Sequence, residues 1–339
     1  VLFRSDMLGE AAMTQNDATR YFMTYAEAIE KLARHIDEEK TIFQRPGISV
    51  KLSALYPRYE FLQQERAVPE LTERLKQLAM RARDLNIALT VDAEEAERLD
   101  MSLEIFKRVY CDSEFHQWEG LGLAVQTYQK RAGAVCDWVI NLAQQNGRRI
   151  QLRLVKGAYW DTEIKRAQMQ GWNHFPVYSL KSATDVSYLY CAEKILRAQE
   201  YVYPKFATHN AYTVAAILKF VDDHSCGNSI EFQNLQGMGK SLHQQILAKG
   251  ISCRIYAPVG SYKELLPYLV RRLLENGANT SFVNQLANKE LSVDELISSP
   301  LVQTEDLAQK YNKKIPLPRD IFHGRNNSAG FNFSNFSEL

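Results

Sequence analysis

The chain has 339 residues, of which 45% are hydrophobic and 24% charged, the balance of a globular rather than a disordered protein. Its formal net charge of +1 gives no broad positive field, which argues against nucleic-acid binding. Five dispersed cysteines fit a reducing cytoplasm better than a disulfide framework, and no apolar run reaches the roughly 20 residues that a membrane span needs.

The first 45 residues are predicted to form a helical arm. Apolar side chains recur there at intervals of three or four, with Tyr21, Tyr25 and Ile29 on one face of a helix. Asp17 precedes them at a position suited to an N-cap. After residue 46 the pattern changes to short apolar segments, which marks a boundary.

Seven strands are predicted after this boundary, and helical segments separate them. The strands span 48–52, 87–92, 121–126, 149–155, 204–208, 230–233 and 252–257, and helices are expected at 69–84, 128–145, 185–199 and 212–222. This alternation predicts a parallel sheet, either doubly wound or closed into a barrel. A complete (β/α)8 barrel needs one more strand, for which the sequence shows no clear place.

Side-chain parity within the strands favours the barrel. In most strands one parity is apolar and the other carries polar groups, whereas a parallel strand buried on both faces should be apolar on both. If the apolar parity packs against outer helices, polar side chains collect inside the barrel near the strand carboxyl ends. These side chains are Lys51, Asp92, Gln126, Arg153, Gln233 and Tyr256. A sheet with one solvated face is the alternative, but such antiparallel sheets lack the intervening helices.

Two further segments carry side chains suited to ligand binding. Residues 153–161 read RLVKGAYWD, where small residues let backbone approach a ligand, and Tyr159 and Trp160 could wall a flat ring or merely plug the barrel mouth. Arg271 and Arg272 lie in an apolar stretch of a predicted helix. Arginine binds carboxylates and phosphates through paired hydrogen bonds, so this pair predicts an anion-binding group.

Three other motifs point to alternative chemistry. The acidic run at 92–95 with His209 matches no metal-ligand spacing, so no metal is predicted. The string GMGKS at 237–241 lacks the first glycine of a phosphate-binding loop. Lys51 or Lys156 could form a Schiff base, as in barrel aldolases, and spacing alone does not exclude that role.

Long strings of the sequence resemble the proline dehydrogenase domain of the bacterial proline utilization A family. The strings are DMLGEAAMT (6–14), ISVKLSALYPRYE (48–60), VDAEEAERLD (91–100), VQTYQKR (125–131), RLVKGAYWDTEIKRAQMQG (153–171), FATHNAYT (206–213), EFQNLQGMG (231–239) and CRIYAPVGSYKELLPYLVRRLLENGANTSFVNQ (253–285). They follow one another in the family's order from about residue 6 to about residue 330. Together they are far more specific than any single motif.

The resemblance implies an α/β fold, a distorted (β/α)8 TIM-type barrel holding FAD, with extra N-terminal helices and a final helix over the barrel mouth. It implies an FAD-dependent proline dehydrogenase that oxidises L-proline to Δ1-pyrroline-5-carboxylate by hydride transfer to flavin N5. A membrane quinone is the implied electron acceptor, so we expect a cytoplasmic protein with at most reversible contact with the inner membrane. The implied domains are an N-terminal arm at 1–45, the barrel at 46–290, and a C-terminal helix and linker at 291–339 toward an aldehyde dehydrogenase half.

The resemblance also implies roles for individual residues. For the substrate, it implies that Arg271 and Arg272 hold the carboxylate and that the proline pocket is lined by Lys51, Leu154, Tyr159 and Tyr256. It also implies that Asp92 lies beside flavin and substrate and that Glu10 closes over the pocket. The implied cofactor contacts are Gln126, Arg153, Val155, Lys156, Gly157, Trp160, Lys181, Thr184, Thr208, His209, Gln233, Glu275, Ser281 and Phe282.

Two positions depart from the family pattern, and two other functions stay open. Leu180 stands where relatives carry arginine, so one contact to the far end of FAD is expected to be weaker or replaced. Ser5 stands where an aromatic residue is expected. The other hypotheses are a Schiff-base or metal-dependent lyase on the same barrel, and a catalytically silent barrel that serves as a scaffold.

Overall fold

The computed structural model describes residues 2–7, 9–226, 229–260, 265, 266, 268–270, 272, 298–305, 311–322 and 324–334. Eight parallel strands close into a barrel in chain order, with the first strand hydrogen-bonded to the last. A doubly wound open sheet and a sheet with one solvated face are therefore both wrong. Among the described helices, none combines the length and the apolar character needed to cross a membrane.

Strands and helices alternate around the barrel. The strands are β1 (Leu2–Met7), β2 (Gly47–Val50), β3 (Ala88–Val91), β4 (Leu121–Gln126), β5 (Ile150–Val155), β6 (Val202–Ala207), β7 (Glu231–Leu235) and β8 (Ser252–Val259). The α-helices whose bounds lie within the described residues are α1 (Gln15–Ala33), α2 (Gln64–Asp84), α3 (Leu99–Tyr110), α4 (Ala132–Asn146), α5 (Trp160–Met169), α6 (Lys181–Arg197), α7 (Ala211–Asp223), α8 (Lys240–Ala248) and α9 (Pro300–Glu305). The seven strands expected from the sequence are confirmed to within two residues at each end.

The strand missing from the sequence prediction is β1, which lies inside the segment interpreted as helical. It pairs with β2 on one side and with β8 on the other, so it closes the barrel. The helical prediction is therefore wrong for residues 2–7 and confirmed for α1. In β1 the polar Ser5 stands between the inward Arg4 and Asp6, so the strand lacks the apolar alternation that revealed the others.

Helix α1 begins with a different cap from the one predicted. Thr14 is the N-cap, and its hydroxyl accepts a hydrogen bond from the backbone N–H of Asp17. The Asp17 carboxylate in turn accepts from the backbone N–H of Thr14, so the two residues form a capping box. Asp17 thus contributes to the cap from inside the first turn.

Both parities of the strands are buried, but in different surroundings. Ile48 and Val50 of β2 are fully buried in the apolar layer between sheet and helices. Arg153 of β5 bonds to Ser49 of β2, a strand with which β5 does not pair, so the other parity meets inside the barrel. Buried polar residues on the strands' inward parity include Arg4, Asp6, Ser49, Thr90, Gln151, Arg153, Lys205, Glu231, Gln233 and Arg254.

Candidate active site

A network of charged side chains fills the barrel interior where the strands end. The Lys51 ammonium, one residue beyond β2, lies 3.1 Å from Asp6 Oδ1 and 3.3 Å from Asp92 Oδ2. The Asp92 carboxylate also accepts hydrogen bonds from the Arg153 guanidinium and from the Tyr256 hydroxyl, the latter at 3.0 Å. We call these five residues the upper cluster. Its two cations are matched by two carboxylates.

In the upper cluster, neighbouring groups stabilise the charges of Asp92 and Lys51, whereas burial raises the pKa of Asp6 despite its contact with Lys51. Burial opposes ionisation of Asp92, but Arg153 and Lys51 outweigh it and lower the pKa of this carboxyl to about 2. Burial likewise opposes the charge of Lys51, yet Asp6 and Asp92 hold its pKa well above the usual value. Lys51 is therefore an ammonium at neutral pH, which is the wrong state for Schiff-base formation.

Lys51 is also fixed through its backbone. Its N–H donates a buried hydrogen bond to the Tyr25 hydroxyl, 3.1 Å away on α1. Tyr25 is 2% exposed and packs in the apolar core. The helix that covers β1 and β2 thus positions the start of the loop that carries the ammonium.

The loop after β5 carries the glycine and aromatic residues singled out in the sequence. Gly157 has φ +140°, and a Cβ at this position would lie 2.5 Å from the Tyr128 ring, so glycine is required on both counts. Ala158 N donates to Gln126 Oε1 at 3.2 Å, and Gln126 Nε2 donates to Glu94 O at 2.7 Å. Gln126 therefore ties this loop to the one after β3.

Aromatic and apolar side chains complete the β5 side of the barrel mouth. Trp160 begins α5 and its indole N–H donates to Tyr178 O at 2.8 Å. Tyr159, at the N-cap of α5, and Val155, at the end of β5, are both partly exposed. Both aromatic residues thus lie just beyond the carboxyl end of β5.

Two lysines share one carboxylate beside this loop. Lys181 Nζ lies 2.7 Å from Asp185 Oδ2, and Lys156 Nζ bonds to Asp185 Oδ1. Lys181 is the first residue of α6, and Thr184 is buried in its first turn. Two ammonium groups and a helix N-terminus thus lie side by side here, and both kinds of group are suited to bind an anion.

The β6 and β7 side of the mouth is polar but uncharged. His209 Nε2 accepts a hydrogen bond from Leu235 N at 3.1 Å, and burial, with help from His243 and Arg272, lowers the pKa of His209 to about 4. Thr208 is buried, and its hydroxyl accepts from Asn210 N. His209 is thus neutral at physiological pH. Its interaction with Arg272 also places that residue close to the mouth.

Gln233 and Arg153 each keep one buried polar atom that has no partner in the described part of the chain. Gln233 Nε2 donates to Glu231 at 2.6 Å, while Gln233 Oε1 accepts nothing. Arg153 Nε donates nothing, although its terminal nitrogens bond to Ser49 and Asp92. A free acceptor and a free donor inside the barrel are what a polar ligand ring would need.

The remaining substrate residues lie partly within the described ranges. Glu10 is partly exposed in the segment between β1 and α1, which Ser53 anchors by accepting hydrogen bonds from Ala11 N and Ala12 N. Arg272 is helical and partly exposed, with its guanidinium 5.4 Å from the Tyr268 ring centroid. Four predicted residues lie outside the described residues: Arg271, Glu275, Ser281 and Phe282.

Leu154 does not join the other predicted pocket residues. It alternates with the inward Arg153, is fully buried, and belongs to the apolar layer beneath the helices. Its assignment to the proline pocket is therefore corrected, since the side chain lies on the other face of β5. Leu235 has the inward parity and pairs in register with Tyr256, so it is an apolar residue at the level of the site that the sequence analysis missed.

Asp6 was also missed, although it is the second carboxylate of Lys51. Alternation of Arg4 and Asp6 was the available signal, but the helical prediction for this segment hid it.

The carboxylates of the acidic run after β3 point in different directions. Asp92 points inward, whereas Glu94 accepts a hydrogen bond from Ser53 N and pairs with Arg98. Within the described part of the chain, no three His, Cys, Asp or Glu side chains gather as metal ligands.

A closed parallel barrel with charged and aromatic groups at the carboxyl ends of its strands is the architecture of a β/α-barrel enzyme. The profile of the family described as proline dehydrogenase matches residues 1–285, and the chain belongs to this family.

Long bifunctional proteins are among the relatives of this chain. The chain is 49% identical to the Bifunctional protein PutA of Escherichia coli K12, covering 98% of this chain and 26% of that protein. A crystal structure of a proline utilization A mutant from Bradyrhizobium japonicum has a TM-score of 0.94 and 47% identity, covering 98% of this chain and 34% of that one. Proline dehydrogenase 1 of Bacillus subtilis is 26% identical over 82% of this chain and 79% of its own length. The chain therefore spans about a quarter of the bifunctional relative.

Proposed function

We propose that this chain oxidises L-proline to Δ1-pyrroline-5-carboxylate with FAD as its cofactor. The observation that carries the proposal is the family match over residues 1–285, which includes every strand of the barrel and the whole upper cluster. The similarity to a shorter proline dehydrogenase, of which the chain spans 79%, supports the view that the activity resides in this part of the bifunctional relatives.

The barrel mouth offers groups that fit FAD. The free Gln233 Oε1 and Arg153 Nε supply an acceptor and a donor for the edge of the flavin ring. Lys156 and Lys181, which both pair with Asp185, suit the pyrophosphate, as does the adjacent N-terminus of α6. The flavin contacts predicted from the sequence thus include residues of the right chemical character on β5, β7 and α6.

The roles of the residues proposed to bind substrate follow from the ion pairs that they already make. Lys51 already neutralises Asp6 and Asp92, so we assign recognition of the proline carboxylate chiefly to Arg271 and Arg272. Lys51 then orients Asp92.

Shape completes the pocket. Tyr256 is held by its hydrogen bond to Asp92, and the Arg153 guanidinium stacks 5.1 Å from its ring centroid. Together with Tyr159 it excludes larger amino acids. Glu10, in the segment anchored to Ser53, closes over the bound substrate.

Bound FAD would accept a hydride from proline, and the cofactor itself supplies that chemistry. The chain contributes orientation, because a substrate whose carboxylate is gripped by arginines presents its ring in one direction. It also contributes a buried, charge-balanced surface whose members do not need to move during the reaction.

The partners belong to the same proposal. We infer that a membrane quinone takes the electrons, that the chain works in the cytoplasm with reversible contact with the inner membrane, and that an aldehyde dehydrogenase half processes the product in the full-length protein. The names and lengths of the bifunctional relatives support the last of these.

Absorption spectroscopy tests the proposed reaction directly. The purified protein should be yellow, and anaerobic proline should bleach its flavin absorption. A colourless protein trapped by borohydride with substrate would favour the lyase. A yellow protein that proline never bleaches, and that reduces no dye, would favour the silent scaffold.

The double substitution Arg271→Met with Arg272→Met tests carboxylate recognition. The flavin should stay bound, while proline binding weakens by roughly 2–5 kcal/mol because a desolvated charge pair is lost. Steady-state kinetics with proline measures this as a rise in KM. Arg197→Met, at an exposed arginine of α6, is the control and should leave KM unchanged. An unaltered KM in the double variant would reject the assignment.

A further inference from the structure

The barrel interior holds a second charged group nearer the amino ends of the strands. Its members, the lower cluster, are Arg4 of β1, Lys205 of β6, Glu231 of β7 and Arg254 of β8, each at most 1% exposed. Unlike the upper cluster, it is not balanced among the described residues: three cations face one carboxylate.

The single carboxylate of this cluster is fully used. Arg254 Nε lies 2.8 and 2.9 Å from the two Glu231 oxygens, and Arg254 NH2 lies 2.7 Å from one of them. Gln233 donates to the same carboxylate at 2.6 Å. Lys205 bonds instead to Gln151 Oε1. No acceptor of Glu231 is left for Arg4.

Arg4 is the member without a partner. It is 0% exposed, and none of its three guanidinium nitrogens has a hydrogen-bond partner anywhere in the described structure. Burial, together with the charges of Arg153 and Arg254, lowers the pKa of Arg4 to about 9. The group is thus still a cation at neutral pH, and an unpaired buried cation is strongly unfavourable.

The strands that follow β1 around the barrel carry small residues that accommodate the Arg4 side chain, and they supply a second donor. Gly47, Ala88 and Gly122 occupy inward positions of β2, β3 and β4, where other strands carry long side chains. Arg4 NH2 lies 3.0 Å from the position that a Cβ on Gly47 would take, and Thr90 Oγ1 lies 3.0 Å from the corresponding position on Gly122. The Thr90 hydroxyl is also buried without a partner in the described chain.

We propose that the barrel interior binds one small inorganic anion, such as chloride, with the Arg4 guanidinium as its main ligand and the Thr90 hydroxyl as a second donor. The complete burial of both side chains limits the ligand to a monatomic or similarly small ion. Burial, and then the neighbouring arginines, push the pKa of Lys205 well below its usual value. Even with Lys205 neutral, the cluster retains one excess positive charge, which an anion cancels and a water molecule does not.

Anomalous diffraction tests this site. The protein is purified and crystallised in bromide in place of chloride, so that no exchange into a closed interior is required. One bromide peak inside the barrel, beside Arg4, is expected. Water-like density without anomalous signal at Arg4 would overturn the proposal, as would a guanidinium satisfied by protein groups alone.

Thermal unfolding provides a solution test. At equal ionic strength, the Tm should be about 2–4 °C higher in chloride than in gluconate, because an anion that binds only the folded state stabilises it. Arg4→Met should abolish this difference. Arg45→Met is the matched control, since Arg45 is buried at the same end of the barrel but donates to the carbonyls of Lys40 and Glu38, and it should keep the difference.

A second variant keeps the test decisive if Arg4→Met does not fold. Arg4→Lys retains the charge with fewer directed donors, so its chloride effect should be smaller than that of the wild type. Equal Tm values for the wild type in the two salts would contradict the proposal whatever the variants do. The result does not depend on the proposed oxidation of proline.

Discussion

At the scale of single residues, the roles in this protein are set by partners rather than by residue type. Lys51 was a candidate nucleophile in the sequence, but two buried carboxylates make it a permanent cation. His209 could have been a metal ligand or a base, but burial keeps it neutral, and its ring nitrogen accepts the Leu235 N–H. Neither environment is encoded next to the residue in the chain.

Leu154→Ala distinguishes a core residue from a pocket residue. Because Leu154 is fully buried in the apolar layer, the substitution should lower the free energy of unfolding by about 2–5 kcal/mol through lost burial and a residual cavity. The KM for proline should stay near the wild-type value. Denaturant unfolding and steady-state kinetics measure the two quantities.

Leu235→Ala is the comparison variant for this test. Leu235 lies inward and is partly exposed, so its truncation should affect stability less and KM more than that of Leu154. The reverse pattern, with a large change in KM for Leu154→Ala alone, would restore Leu154 to the pocket.

At the scale of elements, buried polar contacts join segments that pack at the barrel mouth. Glu163 of α5 is 1% exposed and accepts a hydrogen bond from Ala96 N in the loop after β3, at 2.7 Å. Gln126 joins the loops after β3 and β5 in a similar way. The mouth is therefore held together by side chains of the loops themselves.

Glu163 should make stability depend on pH. Burial raises the pKa of its carboxyl from 4.5 to about 7, so between these values the folded chain keeps a proton that the unfolded chain has lost. Stability from this group is therefore present below pH 4.5 and declines as pH rises to 7. Glu163→Gln should remove that decline and raise the free energy of unfolding at pH 8 by roughly 2–3 kcal/mol.

Denaturant unfolding at a series of pH values measures the effect. Glu104→Gln, at an exposed carboxylate of α3, is the control and should retain the wild-type slope. If Glu163→Gln shows the wild-type slope too, burial is not what governs this carboxyl.

At the scale of the whole molecule, closure of the barrel depends on its first strand. β1 bonds to both β2 and β8, so its removal would leave two open edges and expose the charged interior. The clusters inside the barrel are each drawn from at least three strands, and they exist only when the sheet is closed.

Deletion of residues 1–7 should therefore abolish cooperative folding rather than lower stability slightly. Circular dichroism during heating should show no sharp transition, or the protein should aggregate. Deletion of residues 333–339 is the control and should keep the transition, because its described residues lie outside the barrel. If the variant that lacks residues 1–7 unfolds in a sharp transition, seven strands suffice for cooperative folding.

The sequence by itself determined the alternation of seven strands with helices, the separation of polar and apolar parities, and the resemblance that led to the family. These features are local, since they depend on periodicity and on strings of neighbouring residues. Only the tertiary structure decided that residues 2–7 form the closing strand, that Leu154 faces the helices, that Asp6 is a partner of Lys51, and that Arg4 is left without one. Pairing across the barrel brings together residues from distant parts of the chain. The charge state of each residue depends on the side chains that surround it there.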